Sequence, residues 1–146
     1  MKKHFTALLV LCFLSFSLIA QSNKKDDPTK WTPEDIINRE SIGSVSFSPY
    51  NNMVVWTKSK PVKDKDRFVS NIYLTRLDLK KDDAFKTIQL THGDESDSSP
   101  IFSKDGEHIY FLSSRDKGNK LWSLSIYGGE AKEVKAFKNG ISRLSW

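Results

Sequence analysis

From Ile42 onward the chain alternates short apolar runs with polar turns, and no stretch keeps a helical period long enough to compete. Eight such runs follow one another: 44–48, 53–57, 71–77 and 87–91, then 101–103, 108–112, 121–126 and 133–137. Their alternation predicts half-buried strands, so this part of the chain is expected to be all-β. A short helix is predicted just before it. Thr32 can cap that helix, Pro33 suits its first position, Asp35 completes a capping box, and Trp31 and Ile36 are spaced as a hydrophobic staple.

The eight runs are two copies of one four-strand unit. Phe47 and Trp56 stand 55 residues before Phe102 and Phe111; Ile72-Tyr73 stands 49 before Leu121-Trp122; Ile88 stands 46 before Val134. The offset shrinks because the first copy has the longer connections, and insertions confined to loops are what a repeat architecture tolerates. Asn51-Asn52 in the first copy and Asp105-Gly106 in the second read as two-residue turns with positive φ at both positions. A third copy starts at Ile141, where Trp146 takes the place of Phe102, 44 residues on.

Four short antiparallel strands recurring every roughly 40 to 55 residues mark a propeller blade. The expected fold is therefore a partial β-propeller: two four-stranded antiparallel blades and the first strand of a third, after a signal peptide and the short helix. The corresponding segments are a signal peptide over 1–20, a flexible leader over 21–30 and the helix and lead-in over 31–41. Blade 1 follows over 42–97, blade 2 over 98–140, and the first strand of blade 3 over 141–146.

The signal peptide rests on Lys2 and Lys3, the apolar run from Phe5 to Ala20, and the polar residues that follow at once. It predicts a periplasmic or secreted protein with no membrane attachment once the segment is cleaved. Cys12, the one cysteine, lies within that run and would leave with it, so the fold must hold by packing without a disulfide. The two lysines also supply two of the five net positive charges, and what remains is too little to argue for nucleic acid. The densest basic stretch, 58–67, interleaves acids and contains Pro61, which reads as a solvated hairpin loop.

Candidate chemistry fails one test after another. Gly140-Ile141-Ser142-Arg143-Leu144 approaches a nucleophile elbow but lacks the second glycine, and the repeat makes Ser142 a strand residue. His92 and His108 have no further histidine or cysteine at ligand spacing. The acidic loop Asp94-Glu95-Ser96-Asp97 lacks the glycine and glutamate of a calcium loop, so Asp97 is expected to cap a turn. Gly128-Gly129 has no following helix or P-loop lysine and reads as a hairpin turn. Trp56, Tyr73, Tyr110, Phe111 and Trp122 fall at strand positions where blade packs on blade. No catalytic, cofactor-binding or metal residue is predicted, and no cofactor.

The residues also carry a resemblance. Trp31-Thr32-Pro33-Glu34-Asp35 leading to Phe47-Ser48-Pro49, Leu90-Thr91-His92-Gly93, Ser99-Pro100-Ile101-Phe102-Ser103-Lys104-Asp105-Gly106, Ser114-Arg115, Leu121-Trp122 and Gly128-Gly129-Glu130-Ala131 come in that order. Together they closely resemble the start of the propeller in prolyl oligopeptidase-family serine peptidases, best of all the exported dipeptidyl-peptidase and acylaminoacyl-peptidase branch. The resemblance implies a propeller of about seven or eight blades that restricts short peptides from reaching an α/β-hydrolase domain. That domain and the remaining blades would be this segment's partners, and the catalytic serine, aspartate and histidine would lie there. A periplasmic propeller of the TolB type, binding a protein partner, is the competing reading.

Overall fold

The structure, a computed structural model, describes residues 30–77 and 86–146. The expected signal peptide, Cys12 and all but the last residue of the leader fall outside them. Every strand among the described residues belongs to a compact unit over 33–146. That unit opens with α1 (Pro33–Ile37), a short helix with Glu34 and Asp35 in its first turn, where carboxylates suit the helix dipole.

Eight strands then form two sheets in simple chain order. The first joins β1 (Ser41–Phe47), β2 (Met53–Val62), β3 (Arg67–Arg76) and β4 (Thr87–Gln89). The second joins β5 (Asp97–Phe102), β6 (His108–Ser113), β7 (Lys120–Ser125) and β8 (Lys132–Ala136). Every neighbouring pair is antiparallel. These are the two blades of a partial β-propeller.

The repeat extends to irregularities the sequence did not announce. Register shifts between Ile42 and Val45 in β1, and between Ser98 and Ile101 in β5, at equivalent places in the two copies. A bulge bends its strand and re-aims the side chains beyond it, so a bulge kept in both copies is part of the blade's design. In blade 2 it contains Ser99, held at a φ of 49°.

The faces that meet are different faces of the repeat. Blade 1 contributes Met53, Val55, Ile72 and Leu74; blade 2 contributes Phe102, Ile109, Phe111, Trp122, Leu124 and Ile126. Within each sheet these residues sit opposite one another, Val55 with Leu74, Ile109 with Leu124 and Phe111 with Trp122. Trp56 and Tyr73, the repeat partners of Phe111 and Trp122, lie on the other face of blade 1 and stack at 4.9 Å. A sandwich of two sheets related by a dyad would bring equivalent residues together. Here the back of one unit packs on the front of the next, the heterologous stacking that generates a ring.

Phe47 and Phe102 show the consequence. The two occupy one position in the repeat, yet Phe102 is 2% exposed against blade 1 while Phe47 is 69% exposed.

Several expectations need correction. The turns between first and second strands span five residues, 48–52 and 103–107, and of the four turn residues only Gly106 has positive φ. Asp105 explains the second turn: its carboxylate accepts hydrogen bonds from the Ser103 hydroxyl and, at 2.9 Å, from the Glu107 amide. Ser103 Oγ in turn accepts from the His108 amide. Side chains close a wider loop and remove the need for two left-handed residues.

The basic stretch 58–67 is mostly strand. β2 and β3 pair without interruption from Met53 with Arg76 to Val62 with Arg67, leaving a tip formed by a 3-10 turn over Lys63–Lys65 and Asp66 at a φ of 46°. β1 begins at Ser41, three residues before the run expected over 44–48 and one before the expected start of blade 1, and β5 begins at Asp97, so the blade boundary falls before Asp97. Residues 141–146 form no ladder, so neither Ser142 nor Trp146 is a strand residue here. A first strand is defined by hydrogen bonds to a second, and the described residues hold no second strand for it. Trp146 nevertheless lies against blade 2, donating from Nε1 to the Phe102 carbonyl at 2.7 Å and meeting Tyr110 edge-on.

Candidate functional site

Polar and charged groups concentrate where the connector between the blades passes the tip of the β2–β3 hairpin. Lys65 Nζ donates to Asp94 Oδ2 at 2.7 Å, and Arg67 donates from Nη2 to the Asp94 carbonyl and to Glu95 Oε1 at 3.0 Å. Glu95 also accepts from the Ser114 hydroxyl at 3.2 Å. Ser96 continues the chain of contacts, accepting from the Ser70 amide at 3.3 Å and donating its own amide to Ser114 Oγ at 3.1 Å. One end of blade 1 is thus tied to blade 2 through Asp94, Glu95 and Ser96.

These carboxylates are held in their charged form. The hydrogen bond from Lys65, followed by that lysine's charge, lowers the pKa of Asp94 below its usual 3.8. Hydrogen bonds from Arg67 and then Ser114 lower Glu95 below 4.5. A general acid or base would need a value near the working pH, so both groups are tuned away from such work. Groups with depressed values stabilise the folded chain above their unfolded pKa, and that contribution is lost as pH falls through the folded one. Protection of the amides at residues 63–66 and 94–96, taken as the exchange rate relative to that of the unfolded chain at the same pH, is therefore expected to fall between about pH 6 and about pH 3, more than in β6 and β7. Equal change throughout would mean the clamp does not hold this end of the blades.

The acidic loop had one member in another role. Asp97 sits at the start of β5 with its side chain 1% exposed, and Arg115 Nη2 donates to both of its carboxylate oxygens at 2.9 Å. Arg115 Nε donates to Ser113 Oγ at 2.7 Å, while the guanidinium lies 4.9 Å from the ring centre of Trp122 and 5.6 Å from that of Phe111. The turn over 114–119 brings Arg115 back over the sheet, with Asp116, Lys117 and Gly118 all at positive φ. Asp97 therefore does not cap a turn; it anchors an ion pair laid on two core aromatics. Nothing in the spacing of Asp97 and Arg115 announced this, although Ser114-Arg115 was among the residues carrying the resemblance. The first copy has Ile42 and Lys60 at the equivalent positions and no such pair.

Elsewhere the chemistry is sparse. His108 opens β6 on the surface, and His92 lies in the exposed part of the connector. Gly128 and Gly129, at φ of 97° and 103°, turn the chain between β7 and β8 as the sequence predicts. Among the described residues no three histidine, cysteine or acidic side chains cluster as a metal site would need. Two adjoining clefts of about 210 and 220 Å³ open between the blades, sharing Arg76 and Ile126, with Asn51, Asn52 and Tyr127 beside one and Lys86 and Ile88 beside the other. Each is below the roughly 300 Å³ from which small-molecule sites usually start. Among the described residues, no helix is long and apolar enough to cross a membrane.

No protein-family model matches the chain. Two curated proteins are similar to it. An uncharacterized peptidase of Bacillus subtilis, YuxL, is 27% identical over 116 residues, which are 79% of this chain and 17% of that protein. Dipeptidyl-peptidase 5 of Porphyromonas endodontalis is 25% identical over an alignment covering 97% of this chain and 21% of the relative. Among solved structures, an acylaminoacyl peptidase in complex with a chloromethyl ketone matches 74% of this chain and 16% of its own, with a TM-score of 0.56 and 20% identity. A putative TolB from Agrobacterium tumefaciens matches 63% of this chain and 29% of its own, with a TM-score of 0.47 and 26% identity. The chain thus spans about a fifth of the length of the curated relatives it matches, and in that span it is a propeller segment similar to those of peptidases.

Proposed function

We propose that these 146 residues are the N-terminal propeller segment of an exported serine peptidase of the prolyl oligopeptidase type. Its propeller would govern which short peptides reach an α/β-hydrolase domain encoded beyond Trp146. The observation that carries this reading is the similarity to dipeptidyl-peptidase 5 along nearly the whole chain. Such a similarity joins the leading segment, the helix and both blades in one order. Acyl transfer through a serine would then be the work of the further domain, and the blades described above would supply shape and rigidity rather than reacting groups.

The arrangement of the blades fits a gate. A gate must be stiff enough to exclude folded proteins, and here two blades share one apolar core and one ionic clamp, while a buried ion pair braces the second blade. The fourth strand of each blade comes from the same chain segment as the first three, so each sheet is complete by itself.

The test is to read the coding sequence onward from Trp146 and express its whole product. A Gly-x-Ser-x-Gly motif, and release of dipeptides or acylated residues from short peptide substrates, is the expected result. Further blades followed by a stop, with no hydrolase domain, would replace this reading with a protein-binding propeller. Export is tested separately, by finding the product outside the cytoplasm with residues 1–20 removed.

A further inference from the structure

We propose that Asn139 is a site of spontaneous covalent modification, converting to aspartate and isoaspartate in the folded protein. Asn139 is the one asparagine in the sequence that a glycine follows. Residues 138–140 are exposed and lie just past the end of β8. Gly140 has a φ of 72°, and no atom lies within 4 Å of where a Cβ would stand, so the main chain beside Asn139 is sterically open. Among the described residues the Asn139 side chain makes no hydrogen bond.

The reaction needs only water. The Gly140 nitrogen, having lost its proton, bonds to Asn139 Cγ; the Cγ–Nδ2 bond breaks, and the nitrogen leaves as ammonia with a proton in place of the one lost. Water then opens the resulting five-membered ring at one carbonyl or the other, giving aspartate or isoaspartate. The barrier in the fold is local: the Gly140 amide donates to the Phe137 carbonyl at 3.1 Å, a surface bond that must open first.

Asp105-Gly106 is the nearest rival, and it is restrained. The Asp105 carboxylate is held by the Ser103 hydroxyl and the Glu107 amide, which lower its pKa and keep it a poor electrophile. At Asn139 the product adds a negative charge beside Lys138, and the isoaspartate form adds one carbon to the main chain between β8 and residues 141–146. Those residues place Trp146 Nε1 on the Phe102 carbonyl. Loss of that seat is the structural consequence.

Incubation of the purified 146-residue protein at neutral to mildly alkaline pH, followed by digestion and mass spectrometry, tests this. The peptide containing residue 139 should gain about one mass unit and resolve into two forms, faster at higher pH, while peptides containing Asn51, Asn52, Asn71 and Asn119 stay unchanged. Asn139→Gln should abolish the gain. A urea-unfolded sample serves as the reference: conversion at residue 139 there, with none in the folded protein, would overturn the proposal, as would earlier conversion at another asparagine.

Discussion

Replacing Arg115 with alanine is expected to lower folding stability by about 3–5 kcal/mol, the usual cost of leaving a buried charge without its partner. Asp97 is the reason. Its carboxylate is almost wholly enclosed, and Arg115 donates to both of its oxygens, so truncation strands a charge that water cannot reach. The same change also removes the guanidinium from the faces of Trp122 and Phe111, which adds about 0.5–2 kcal/mol where such contacts are desolvated. Asp97→Ala should cost less, because Arg115 keeps a side chain 27% exposed and can turn its charge to solvent. Removing both charges together, as Asp97→Leu with Arg115→Met, should recover part of the loss. Urea titrations followed by tryptophan fluorescence measure all four proteins. A loss below about 1 kcal/mol for Arg115→Ala would make this an ordinary surface pair.

Phe102→Ala is expected to cost about 3–5 kcal/mol, while Phe47→Ala should change stability by no more than about 0.5 kcal/mol. The two residues share one position in the repeat, so intrinsic propensity and strand register predict equal effects. Only burial separates them. Phe102 belongs to the buried cluster that both blades build, and its removal leaves a cavity there; Phe47 stands on a face that no described blade covers. A typical domain is stable by only about 5–15 kcal/mol, so the first change approaches global unfolding and the second does not. Equal losses at the two positions would show that the face of blade 1 bearing Phe47 is covered in solution.

Much of the fold was legible because a strand's side-chain period is two and a blade repeats. Alternation at 53–57 and 108–112 located β2 and β6 to the first residue, and the 55-residue offset between Phe47 and Phe102 separated the blades. Turn geometry was less legible. Asp105-Gly106 looks like a two-residue turn in isolation, but the Ser103 and Asp105 side chains satisfy the loop's backbone and allow five residues. The hairpin tip was misplaced for a similar reason: charged residues at 58–62 look like loop, yet a pairing register established at Met53 and Arg76 carries through them.

The ion pair of Asp97 and Arg115 was not legible at all. Its members are 18 residues apart, on the edge strand β5 and in a turn, and they meet only because β5 pairs with β6 and the turn after β6 folds back.

By itself, then, the sequence determined the all-β class and the grouping of the strands into two copies of a blade, because those follow from local periodicity. The tertiary structure decided which face of each blade meets the next, which of two equivalent phenylalanines is core, and which acidic residue of 94–97 is buried. These depend on contacts between segments far apart in the chain, and neither spacing nor residue type along the chain encodes them.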